Sequence, residues 1–153
     1  MKDAHPILLL LPIGVGSAAV IGTILIHALP LSATVNVMRR EKNLGHLGIN
    51  FRMDMGVVVR IILFAMLAHL MEIALWAMLF LICGEFSDFP TAYYHSAVNY
   101  TSLGYGDIVM SPAWRLLGPL EAADGMLLFG VSTALIFAVI QRLVEVRYKD
   151  LND

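Results

Sequence analysis

Cysteine occurs once in these 153 residues, at Cys83, which excludes an intrachain disulfide framework and any metal cage built from several thiolates. Charge is scarce too. Asp, Glu, Lys and Arg make up 14% of the chain and the formal net charge is -2, so there is no basic stripe to neutralise phosphates and nucleic acid is excluded as a partner. No apolar run carries Arg or Lys at every third position, which removes the pattern of a voltage sensor. Catalytic motifs are lacking, and the polar segments are too short to hold a soluble sensor domain. What remains is apolar: the chain is 59% hydrophobic with a mean hydropathy of +0.77, beyond what one water-soluble core of this size requires. A soluble enzyme is thereby excluded, and stability must come from helix packing, lipid and neighbouring subunits.

Three apolar stretches predict three transmembrane helices. Ile7 to Leu31 carries no Asp, Glu, Lys or Arg over 25 residues, long enough at ~1.5 Å per residue to cross a ~30 Å hydrocarbon core. Val57 to Cys83 holds Arg60, His69 and Glu72 in an otherwise apolar run, and Trp114 to Gln141 holds Glu121, Asp124, Gly118, Gly125 and Gly130. Arg39, Arg40, Lys42 and Arg52 lie between the first two stretches and Arg142, Arg147 and Lys149 follow the third, whereas the loop joining the second to the third offers only Arg115, at the very start of the third. Basic residues stay on the cytoplasmic side, so the N-terminus is expected outside and the C-terminus inside. The first stretch is too long for a signal-peptide core, and cleavage would send Arg39 and Arg40 outward against that rule. The expected organisation is an N-terminal transmembrane helix (1–35), a cytoplasmic linker (36–56), a membrane module (57–141) and a short cytoplasmic tail (142–153), in a cell (plasma or inner) membrane.

The polar stretch 84–113 carries the most information. Pro90 suits the start of a helix, and the amphipathic run that follows to Thr101 is too short to span. Next comes Ser102-Leu103-Gly104-Tyr105-Gly106-Asp107, and Ser111-Pro112 is a suitable cap and first residue for the third long helix. Gly-x-Gly permits left-handed and extended residues to alternate, so that successive carbonyls point to one side. Carbonyls so aligned replace the hydration shell of a cation, and the C-terminal dipole of the short helix favours positive charge. Irregular backbone at membrane depth is tolerated only when buried in protein or lining a water-filled path.

Thr101-Ser102-Leu103-Gly104-Tyr105-Gly106-Asp107, set between two apolar helices and preceded by a short one, resembles the filter of potassium channels. The resemblance covers Val57 to Gln141 and implies an outer helix (57–83), a pore helix (90–101), a filter (102–107) and an inner helix (113–141). It implies an all-α membrane protein, a homotetramer around one axis, passive conduction of K+ and no cofactor beyond that ion. Carried over residue by residue, it places ion-coordinating carbonyls on Ser102, Leu103, Gly104 and Tyr105, with the Ser102 hydroxyl at the innermost position. Thr101, Gly106 and Asp107 support the filter, and Tyr105 braces against Tyr93 and Tyr94. Gly125 and Gly130 resemble the inner-helix hinge. Met126, Phe129, Thr133 and Phe137 share one helical face, which the resemblance turns toward a central cavity; ordinary helix packing is the other reading of that face. The family usually has Thr at Ser102 and Val or Ile at Leu103. Some bacterial members have a Glu at the position of Val98, so Asp107 needs another partner, for which Tyr94 is expected. A weakly selective cation channel and a non-conducting accessory subunit are the alternatives.

His69 with Glu72, and Glu121 with Asp124, are each spaced i, i+3 and share helix faces. Charges at this depth are costly unless partnered, so they are expected to face protein, as a hydrogen-bonded clasp between outer and inner helices or as a proton-sensitive cluster; the clasp is preferred. His69 and Glu72 alone are too few for a metal site. His27 reads as a polar residue at the interface, Arg60 as a side chain that snorkels, Glu145 as a cation-attracting ring or a solvated helix end, and Trp76 and Trp114 as interfacial anchors.

Overall fold

The computed structural model describes residues 6–45 and 50–150. The first five residues of the expected N-terminal helix, residues 46–49 of the linker and the last three of the tail lie outside the described residues. Four helices follow one another: α1 (Pro6–Asn43), α2 (Phe51–Ile82), α3 (Phe89–Tyr100) and α4 (Leu117–Asp150), and no strand occurs among the described residues. α1, α2 and α4 are long and apolar enough to cross a membrane. The protein is an all-α, multi-pass membrane protein.

The long helices overrun their apolar cores for local reasons. α1 continues through Arg39, Arg40 and Lys42, cations that suit a helix C-terminus, and stops before Gly45, whose φ is 67°. α2 begins ahead of Val57, where the Asn50 carbonyl accepts the N–H groups of Met53 and Asp54. Most of the expected linker is therefore helical. α4 starts later than residue 113, because Ser111-Pro112 opens a turn in which the Ser111 carbonyl accepts from the amides of Trp114 and Arg115. Pro119 then falls in the first turn of α4, where a missing N–H costs little. The helix runs on past Gln141 through most of the expected tail.

The chain divides into two compact units, one from the described residues of 1–26 with 70–128, the other from those of 27–69 with 129–153. The first unit is centred on Trp76, Phe80, Tyr100 and Leu117, all fully buried, with Ala19 and Ile73 beside them. α1 belongs to this core. A β-carbon at Gly16 would overlap the Leu120 side chain, and one at Gly22 would come within 2.9 Å of Leu75, so both glycines permit close helix approach. In the second unit Val57, Ile61, Val139 and Leu143 pack together. Around them Arg60 binds Glu41 at 2.9 Å, and Arg147 binds Asp54 at 3.1 Å while lying over the Phe51 ring. Glu145 pairs with Arg142 along the exposed face of α4.

Candidate functional site

α3 is fixed at its start by Asp88, whose Oδ1 accepts the Thr91 amide at 2.9 Å, with Pro90 in the first turn. Its end is a Schellman turn: the Ser102 amide donates to the Asn99 carbonyl at 2.8 Å and the Leu103 amide to the Val98 carbonyl at 2.9 Å. That motif requires a left-handed residue just past the cap. Here the residue is Ser102, with φ 57°. Gly104 and Gly106 follow with φ 60° and 71°, so every second residue from 102 to 106 is left-handed. Nothing crowds either glycine. Backbone conformation, not lack of space, is the demand at both positions. Ser102, Leu103, Gly104, Tyr105 and Gly106 are all exposed, Leu103 to 55% and Tyr105 to 66%.

The far end of the loop is anchored twice. The Tyr94 hydroxyl donates to Asp107 Oδ2 at 2.8 Å, and that bond to a carboxylate raises the Tyr94 pKa. Val98 leaves Asp107 without an acid partner, and Tyr94 occupies that role. Glu85, in the turn after α2, accepts both the Ser111 amide and the Ser111 hydroxyl, at 2.7 and 2.6 Å. Thr101 closes back on α3 through its hydroxyl and the Ala97 carbonyl. Behind the loop lies a cavity of about 630 Å³ whose lining includes His95, Asn99, Ser102, Gly104, Ile108 and Arg115.

The three intramembrane acids of the first unit converge on α3 and its supports. The Tyr100 hydroxyl bonds Glu72, and burial raises the tyrosine pKa further than the carboxylate itself does. Glu121, fully buried, lies 2.5 Å from the Ser96 hydroxyl, which is also 2.8 Å from the Ile73 carbonyl. The Ser96 hydroxyl is thus shared between the Glu121 carboxyl and the Ile73 carbonyl, tying α3 to α4 and α2 at once. Asp124 accepts the Trp76 indole N–H at 3.0 Å and lies 2.8 Å from the Thr23 hydroxyl of α1. Trp76 is thus no interfacial anchor: its ring is buried and its N–H is used inside. In the second unit His69 lies 3.0 Å from the Ser132 hydroxyl, which His27 also approaches at 3.3 Å. His27 is buried there.

Gly125 gains a steric reason. A β-carbon there would overlap the Tyr100 carbonyl, so this glycine lets α4 touch the end of α3, whereas Gly130 has open space around it. Met126, Phe129, Thr133 and Phe137 are all exposed, and the Phe129 ring also lies 4.4 Å from that of His69. The sequence reading missed His95, Ser96, Asn99 and Tyr100. Their signal is a run of polar groups on a helix too short to span, which must find partners inside the protein.

These parts define a class: a membrane protein of long helices in which a short capped helix delivers an exposed loop of alternating handedness. A family model described as ion channel matches residues 57–142, more than half of the 153-residue chain, and the chain belongs to that family. Neither the curated proteins nor the solved structures give a match. The family points to transport of ions rather than to catalysis.

Proposed function

We propose that residues 101–107 are the selectivity filter of a potassium-preferring channel and that four copies of the chain surround one pore. The observation that carries this reading is the alternation of left-handed residues at 102, 104 and 106 in an exposed loop at the C-terminal end of α3. Alternation lets the carbonyls of Ser102, Leu103, Gly104 and Tyr105 present one oxygen lining, and the helix end adds negative potential at its base. A loop of this kind exposes polar backbone that lipid cannot satisfy, so copies meeting around ions provide the missing partners. Potassium gains enough from such oxygens to offset its lost hydration, and the smaller, more strongly hydrated sodium gains less. The exposed face of Met126, Phe129, Thr133 and Phe137 lines the cavity below the filter, and no cofactor is needed beyond the permeant ion. The N-terminus lies outside and the C-terminus in the cytoplasm of a cell membrane, by the distribution of Arg and Lys.

Ser102 and Leu103 in place of Thr and Val or Ile favour one other reading, a weakly selective monovalent cation channel. Reversal potentials of the purified protein in planar bilayers under bi-ionic potassium/sodium conditions separate the two. A shift toward the potassium equilibrium potential is expected; equal permeability would defeat the potassium assignment.

A further inference from the structure

His95 is the one histidine of α3, and it stands beside the filter without being part of it. The ring is 5% exposed and wedged between Phe80 of α2 and Phe86 of the following turn, with centroids 5.5 and 4.9 Å away. Both ring nitrogens are engaged. Nε2 lies 2.9 Å from Asn99 Nδ2, an amide nitrogen that can only donate, and the ring also bonds the Ile108 carbonyl, which can only accept. The network therefore assigns the single proton to Nδ1: His95 is neutral, accepting from Asn99 on α3 and donating to the strand of chain that leaves the filter directly after Asp107.

We propose that His95 is a positioning residue for the filter that works only in its neutral form, so that acid on the side of the filter mouth reversibly weakens ion discrimination. A second ring proton would face the Asn99 amide hydrogens directly. Asn99 must then turn, giving up its contact with Glu121, and this disturbs the last turn of α3, where the Asn99 carbonyl accepts the Ser102 amide at the base of the filter. The charged groups around the ring are few. Asp107 and Glu85 attract a protonated ring, Arg115 lines the same cavity, Glu121 lies beyond Asn99, and α2 presents the Phe80 ring. Burial outweighs the two acids and lowers the His95 pKa. The sign follows: the neutral ring's contribution is complete above the ordinary histidine range and is lost as the pH falls through that range toward the lower folded value.

This inference rests on the filter reading, and one set of recordings keeps the two apart. The full-length protein is placed in planar bilayers, and the potassium/sodium permeability ratio is read as the bath at the filter mouth is taken from about pH 7.5 to about pH 5, on either side of the ordinary histidine value of about 6.5. The parent ratio is expected to fall several-fold and to recover on return. His95→Gln, which keeps one donor and one acceptor but does not titrate, should hold a near-parental ratio that no longer responds to acid. Asn99→Asp should raise the histidine pKa and move the transition to higher pH, a displacement that a purely structural role would not produce. A parent ratio that is flat with pH, or an acid response that survives in His95→Gln, overturns the proposal while leaving the filter intact. Absence of potassium preference at neutral pH overturns the filter reading itself, and this inference with it.

Discussion

Ser102 shows how one residue serves two demands. It ends α3 in a left-handed conformation and offers both a carbonyl and a hydroxyl at the base of the proposed filter. A left-handed residue disfavours β-branching most of all, which gives a backbone reason for serine where the family usually has threonine. Ser102→Gly should therefore raise stability by up to about 1 kcal/mol, while Ser102→Thr should lower it. Thermal unfolding of the purified protein in detergent checks both, and a threonine variant more stable than the parent would contradict the strained cap. The glycine variant also lacks the hydroxyl, so its bilayer recordings should show weaker inner-site block by barium. Gly104 and Gly106 are legible from their spacing alone. The handedness of Ser102 is not, because serine at that position also fits an extended residue, and only the two amide bonds to Val98 and Asn99 decide it.

The seat of α3 is where sequence and structure differ most in what they reveal. Spans, short helix and loop are readable because apolar runs, Pro90 and the glycine pair each mark one element. The clasp is readable only in outline. The acids announce that partners exist, but Ser96, Tyr100 and Trp76 can be identified as those partners only once the helices are side by side. Gly125→Ala drives a methyl into the Tyr100 carbonyl and should cost about 1–3 kcal/mol, lowering assembly and flux together. Gly130→Ala meets nothing, and replacing a helical glycine should stabilise α4 by up to about 1 kcal/mol. Comparison of the pair by thermal unfolding and by recording isolates helix flexibility, since only the second variant leaves packing unchanged. Glu121→Gln keeps an acceptor toward Ser96 and should retain selectivity and stability to within about 1 kcal/mol, whereas Glu121→Ala removes that partner and should cost about 1–3 kcal/mol. Loss of channel activity in the glutamine variant would show that the carboxyl itself, and not only its hydrogen bond to Ser96, is required.

At the level of the whole molecule, the exposed loop proposed as the filter makes assembly the first thing to measure. Native mass in potassium should give a tetramer, with thermal stability rising with potassium concentration as expected for an ion bound only by the assembled form. A fully conducting monomer or dimer would exclude the four-fold pore. α1 is part of the first core of the chain, through Gly16, Gly22 and Thr23. The turn that ends α3 carries a further consequence. The amides of Leu103 and Gly104 both donate to the Val98 carbonyl, so the backbone proposed to cradle an ion is the same backbone that terminates a helix. Ion occupancy and helix termination are then thermodynamically linked: whatever empties the pore also loosens the last turn of α3. Amide hydrogen exchange at Leu103 and Gly104 should accelerate when potassium is withdrawn, before any exchange in α1 or α2 changes.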